Sequence, residues 1–264
     1  MYVRRCKTGR IARRARDRSF GATLREALAR GWGPILIHGG GPAITRRLAT
    51  YGIELPFTNG LRATTVDAID HVVSALQMCN AELTEALSAA HVPITPLTDG
   101  WTVQARDIGA ERTGEVAAIS ESRVKEACEE GFVPLLTPFG RDAAGAFYNL
   151  NADAVAAHVA QTMDAARLVF LTDVAGVYRD YQAGELLTET TAAELEDLLA
   201  AGSFTAGMIP KVTAMLYAAR QGVDEVWVVD GRDHESVATA VLGDTAGLTR
   251  RRGTRLRAAV TQKE

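Results

Sequence analysis

The sequence predicts an α/β protein whose largely parallel sheet is covered by helices on both faces. Two observations carry this: apolar runs of strand length recur along the chain, and stretches of helical period separate them. Strands separated by helices need crossover connections, which make neighbours parallel and bury both sheet faces.

The elements follow in order. Phe20 to Arg30 has helical spacing in Leu24, Ala27 and Leu28 and stops at Gly31. The apolar run Pro34 to His38 leads into Gly39-Gly40-Gly41 and Pro42, then a helix from Ile44 to Tyr51. That is strand, glycine turn and helix, with proline near the first helical position. Thr58-Asn59-Gly60-Leu61-Arg62 suits a hairpin or exposed loop, and Thr65 to Ala90 a long helix with Ile69, Val72, Val73, Leu76, Leu83 and Leu87 on its apolar side. Val92 to Leu97 and Trp101 to Ala105 are strand-like, Glu121 to Glu130 is helical, and Phe132 to Leu136 is a buried strand. The alternation continues with helix Asn151 to Met163, strand Arg167 to Leu171, and helices Ala192 to Ala201 and Met208 to Gln221. Strand Glu225 to Val229 and helix Glu235 to Leu242 complete it. Ligands in such sheets bind beyond the carboxyl ends of the strands, where the motifs below are expected to lie.

A chain of 264 residues with 47% hydrophobic side chains can bury a sizeable core, as one domain or as two lobes. The net charge is −3, but Met1 to Arg18 holds eight basic residues and only Asp17 as an acid, so that segment is +7 and the remainder −10. An acidic body argues against a nucleic-acid footprint. The basic start reads as an organelle presequence or as a mis-set start, and the second is the expectation. Cys6, Cys79 and Cys128 are far apart and fit free thiols in a reducing cytoplasm. No apolar run has the length of a membrane span. The five histidines show no metal-ligand spacing, so no protein-held metal is expected.

Ile35 to Pro42 places three glycines between strand and helix, where backbone N–H groups and a helix N-terminus can face an anion. The same His38-Gly39-Gly40-Gly41 run serves as an oxyanion hole in esterases, but the chain has no GxSxG serine elbow. A tight turn remains the plain alternative. Arg62 can take a carboxylate in bidentate fashion, or simply be solvated. Tyr148-Asn149-Leu150-Asn151-Ala152-Asp153 enters a helix with amide donors and a negative charge, Asn151 or Asp153 being equally readable as a helix cap. Leu171-Thr172-Asp173-Val174-Ala175-Gly176-Val177 follows a strand as a nucleotide loop would. Gly207-Met208-Ile209-Pro210-Lys211 opens a helix with a lysine, and Gly253-Thr254-Arg255-Leu256 lies near the end of the chain.

Together, in this order and spacing, these motifs resemble the amino-acid kinase family, most of all its N-acetylglutamate kinases, from about Pro34 to Leu256. The resemblance implies a three-layer αβα sandwich with an N-lobe over residues 1–165 that binds the acyl-amino acid and a C-lobe over 166–264 that binds ATP. It implies transfer of the γ-phosphoryl of ATP, with Mg²⁺ carried by the nucleotide, to the side-chain carboxylate of N-acetylglutamate in cytoplasmic arginine biosynthesis. By the same resemblance Gly40 and Gly41 face the acyl-amino acid and the phosphoryl group, and Arg62 and Asn149 hold the substrate. Asp153 orients the catalytic lysines, Lys211 supports the leaving phosphate, and Thr172, Asp173 and Gly176 frame the nucleotide. A homodimer is implied, and the short, +7 start makes an arginine-inhibited hexamer unexpected. Other readings are a sibling kinase acting on a carrier-linked glutamate or aminoadipate, and a non-catalytic ligand-binding homologue.

The chemistry agrees with this inventory. A carboxylate nucleophile is already ionised at neutral pH and needs no general base. Repulsion between two anions is the obstacle, and lysines, backbone N–H groups and Mg²⁺ oppose it. The chain departs from the family at its start. A K-x-G-G strand is usual, whereas Lys7-Thr8-Gly9-Arg10 keeps the lysine and one glycine, and Arg4 and Arg5 interrupt an apolar strand. Buried arginines are costly unless paired or at a sheet edge. Lys7 as a catalytic lysine, a displaced start and a non-catalytic homologue all stay open. Ala81 for a usual lysine and Gly114-Glu115-Val116-Ala117 for a usual G-H-V-G are smaller departures.

Overall fold

Every apolar run of the alternating pattern but one enters a single sheet. The computed structural model describes residues 2–6, 18–58, 60–205, 207–243 and 253–257. Among these, β1 (Tyr2–Cys6), β2 (Pro34–His38), β5 (Ile94–Leu97), β8 (Val133–Leu136), β11 (Arg167–Thr172) and β15 (Glu225–Asp230) are the parallel strands. Two short strands extend one side: β14 (Glu189–Thr190) and β16 (Thr254–Arg257), which runs antiparallel to β15. The order is β14-β16-β15-β11-β1-β2-β8-β5.

Side chains alternate across this sheet as a period of two requires. Ile35 and Ile37 of β2, Leu168 and Phe170 of β11, and Val226 and Val228 of β15 enter one core. There they meet Val124 of α4 (Glu121–Glu129), Val155 and Val159 of α5 (Ala152–Thr162), Leu195 of α6 (Ala192–Ala200), and Met215 of α7 (Ile209–Arg220). Leu36, Val169, Leu171, Trp227 and Val229 enter the opposite core. That side is closed by Leu24 of α1 (Arg18–Ala29), Leu83 and Leu87 of α3 (Ile69–Ala89), and Val237 and Val241 of α8 (His234–Leu242). Helices, sheet and helices form three layers. A third cluster packs Ile44 and Leu48 of α2 (Gly41–Thr50) on Val72 and Leu76 of α3.

β1 lies in the middle of the sheet. Cys6 pairs with His38 on one side and Leu171 on the other. The edge position that would accommodate Arg4 and Arg5 is therefore excluded. Winding runs outward from β1 through β2 and then returns to β11, so the carboxyl ends flanking β1 border the crevice where α/β sheets bind ligands.

The exceptional run, Trp101 to Ala105, belongs to a second element the sequence pattern did not disclose. β6 (Val103–Ala110), β7 (Thr113–Ile119), β9 (Phe139–Arg141) and β10 (Phe147–Asn149) close into a small barrel. Its strands touch closely: a Cβ on Gly140 would stand 2.3 Å from the Val103 carbonyl oxygen. The expectation that all motifs lie at ends of the parallel strands needs correction. The glycine loop and Thr172 do. Arg62 instead lies on the hairpin of β3 (Phe57–Thr58) and β4 (Leu61–Arg62), Asn149 ends a barrel strand, and Met208 follows a helix. Among the described residues no helix is long and apolar enough to cross a membrane.

Candidate active site

The glycine loop leaves β2 and becomes α2 without a side-chain cap. Gly40 is the N-cap residue and makes no side-chain hydrogen bond, and Pro42 follows in the first turn. A Cβ on Gly40 would meet Leu76 Cδ2 at 2.3 Å, which accounts for glycine there, while the same position on Gly41 faces open space. Backbone N–H groups at an uncapped helix start suit an anion.

His38, just before this loop, is buried; its Nδ1 lies 3.0 Å from the Gly39 carbonyl, and Nε2 has no hydrogen-bond partner among the described residues. Nδ1 therefore carries the proton and donates it. Desolvation outweighs that bond and lowers the His38 pKa from 6.5 to about 4. The unfolded chain thus takes up a proton on His38 before the folded one does. Stability from this residue is complete above pH 6.5 and declines as pH falls toward 4. The expected loss is about 2 kcal/mol at pH 5. Thermal melts of wild type and His38→Asn from pH 5 to 7 check this; equal slopes would remove His38 as the cause.

Arg62 is buried, not solvated, at 7% exposure. Its Nη2 donates to Thr45 Oγ1 at 2.7 Å and to the Gly41 carbonyl at 3.2 Å, and its Cζ stands 4.6 Å from the Phe57 ring centroid. Burial lowers its pKa, yet an arginine stays charged. It has no carboxylate partner among the described residues. One cavity is lined by Gly40, Gly41, Arg62, Thr113, Asn149 and Asn151, among others. A cation with no counter-ion among the described residues, beside uncapped N–H groups, is an arrangement that suits an anionic ligand.

Asn151 resolves the capping ambiguity. It is the N-cap of α5, accepting from the N–H groups of Asp153 and Ala154. Asp153 is left to accept from Lys211 Nζ at 2.9 Å, with both side chains 3% exposed. The Lys211 ammonium also stands 4.9 Å from the Phe170 ring centroid. Lys211 is therefore a buried residue and not a surface lysine. A buried pair of this kind is held in place because separating it leaves a desolvated charge.

Thr172 ends β11, and Asp173 follows it on the surface; the Asp173 carbonyl accepts from Arg232 Nη2 at 2.5 Å. Arg232 is also paired with Asp230, so it ties the loops leaving β11 and β15 together. Gly176 admits Thr254, whose Oγ1 would lie 2.5 Å from an added Cβ. That hydroxyl accepts from the Val177 N–H at 2.7 Å, clamping the loop to β16. Sequence reasoning did not single out Arg232, Thr45, Phe57, Thr64 or Thr113. Asp230-Gly231-Arg232 follows a strand of the parallel sheet and was recognisable on that ground; the others carry no local signal. Lys7 lies outside the described residues. Among the described residues no three His, Cys, Asp or Glu side chains gather to hold a metal.

Against known proteins, residues 16–230 match the profile of the amino acid kinase family. The chain is 35% identical over 225 residues to acetylglutamate kinase of Chromobacterium violaceum, covering 80% of this chain and 77% of that one. Among solved structures it resembles smu.665 of Streptococcus mutans, with a TM-score of 0.81, 25% identity and 98% of each chain covered. It also shares its fold with N-acetylglutamate synthase of Neisseria gonorrhoeae, with a TM-score of 0.82 at 22% identity, over 98% of this chain and 59% of that one.

Proposed function

The chain belongs to the amino acid kinase family, and we propose that within it the protein transfers the γ-phosphoryl group of ATP to the side-chain carboxylate of N-acetyl-L-glutamate. The observation that supports this best is the cavity itself, lined by the glycine loop, Asn149 and Arg62, whose guanidinium has no carboxylate partner among the described residues. Arg62 and Asn149 take the acyl-amino acid at its α-carboxylate end. The glycine loop receives the side-chain carboxylate and the phosphoryl group that joins it. An oxygen of that carboxylate attacks the γ-phosphorus, the bond to the bridging oxygen breaks, and ADP leaves. Lys211, aimed by Asp153, supports the charge that builds on the departing phosphate.

The residues present fit a nucleotide that brings its own Mg²⁺. The donors offered are backbone N–H groups and an ammonium, which suit phosphate oxygens, and Mg²⁺ would supply further charge neutralisation on them. Thr172, Asp173 and Gly176 frame the nucleotide in a C-lobe over 166–264, with the acyl-amino acid held by an N-lobe over 1–165. A homodimer working in arginine biosynthesis goes with this assignment, and light scattering that finds an arginine-responsive hexamer would count against it.

Incubation with ATP and N-acetylglutamate, with hydroxylamine to trap the acyl phosphate, tests the reaction. Binding of both ligands without a trapped product would instead support the non-catalytic homologue. Arg62→Ala should raise KM for N-acetylglutamate about 10- to 100-fold, as loss of charge-assisted hydrogen bonds worth roughly 1.5–3 kcal/mol requires. KM for ATP should stay within twofold. Unchanged KM for both substrates would remove Arg62 from the site.

A further inference from the structure

Two buried threonines, Thr113 in the cavity lining and Thr64 beside it, join Arg62 to Asn149, although the two joined residues lie far apart in sequence. Thr113 Oγ1 accepts from the Thr64 N–H at 2.9 Å and donates to the Arg62 carbonyl at 2.9 Å. Thr64 Oγ1 donates to the same carbonyl at 3.2 Å, and Asn149 Nδ2 donates to Thr64 Oγ1 at 2.9 Å. A hydroxyl has one proton to give. With that of Thr64 committed to the Arg62 carbonyl, its oxygen can only accept, so the Asn149 carboxamide must turn its NH₂ end toward it. The opposite orientation would redirect the Thr64 proton to Oδ1 and leave one hydrogen bond in place of two. Asn149 Oδ1 is thereby turned away from Thr64, on a residue that lines the cavity, and has no protein partner among the described residues.

The geometry points to Thr64 as a positioning residue that sets ligand specificity by fixing which end of the Asn149 amide meets the ligand. This rests on the assignment of Arg62 and Asn149 to the acyl-amino acid. Beside the cation the cavity then presents an acceptor, and the matching ligand carries an N–H next to its carboxylate. An acylated amine has that donor. The corresponding ester has an oxygen there, whose lone pairs face the Oδ1 lone pairs. A site that holds a buried acceptor toward a ligand donor rejects the analogue lacking it.

The test is calorimetric binding of N-acetyl-L-glutamate and of its ester isostere, 2-acetoxyglutarate, to wild type, Thr64→Val and Thr64→Ser. Wild type should prefer the amide about tenfold. Thr64→Val, nearly isosteric but without the hydroxyl, frees the Asn149 amide to turn and should reduce the preference to threefold or less. Thr64→Ser should restore it, with ATP affinity unchanged throughout. A merely structural Thr64 would weaken both ligands together and leave their ratio intact. An undiminished preference in Thr64→Val overturns the inference while leaving the kinase assignment standing. A wild-type preference below threefold also overturns it, and this decides the matter even where Thr64→Val fails to fold. If neither ligand binds wild type, the acyl-amino-acid assignment falls and this inference falls with it.

Discussion

Replacing Lys211 by alanine should lower kcat about a hundred- to a thousandfold, since removing one preorganised donor to developing charge typically costs ~3–4 kcal/mol. It should also lower the melting temperature. The Asp153 carboxylate, 3% exposed, loses the ammonium 2.9 Å away, and breaking a buried pair by deleting one partner costs about 3–5 kcal/mol. A fall in activity alone would therefore be ambiguous, because a partly unfolded enzyme is also a slow one. The double variant Asp153→Asn with Lys211→Met separates the two effects. It removes both charges, so most of the lost stability should return, while kcat stays at the level of the single variant. If kcat recovers along with the melting temperature, Lys211 is structural. If Lys211→Ala stays within threefold of wild-type kcat, the proposed charge support is wrong.

The burial of this pair is encoded in the sequence. Lys211 shares its helix face with Ala214, Met215 and Ala218, at offsets of three, four and seven, all of them buried. Asp153 stands in the same relation to Ala156, Ala157 and Ala160. Opposite charges, each on the apolar stripe of a helix, have to meet one another or pay for isolation. The parallel sheet was legible because the strands of an α/β core, buried on both faces, are continuous apolar runs, such as Leu168 to Leu171. The barrel was not. Most of β6 is exposed, and β9 and β10 have three residues each, too few to show a period. Arg62 depends on Thr45, Gly41 and Phe57 for its orientation, and Asn149 on Thr64. Those contacts are set by how the hairpin docks on the barrel and α2, which no local pattern encodes.

Lys7→Ala should reduce kcat on the same scale as Lys211→Ala, about a hundredfold or more. Lys7 itself lies outside the described residues, but the strand leading to it is placed: Cys6 pairs with His38 and Leu171. The chain therefore leaves β1 at the carboxyl-terminal ends of the parallel strands, where the glycine loop and the Thr172 loop also begin. A carboxylate and a γ-phosphate brought together there repel each other, and an ammonium between them would reduce that repulsion more in the compact transition state than when the two are apart. Lys7→Arg should rescue only part of the activity, since a guanidinium is a planar fork and not a point charge. The double variant of Lys7 and Lys211 sharpens the test. If both cations stabilise one transition state, deleting the second should cost much less than deleting it alone, because residues that act as a unit are not additive. A fully active Lys7→Ala would exclude the residue from catalysis and leave the charge between the two anions to the glycine-loop N–H groups, Lys211 and the metal carried by the nucleotide. Additive losses would instead show that the two lysines act independently of one another.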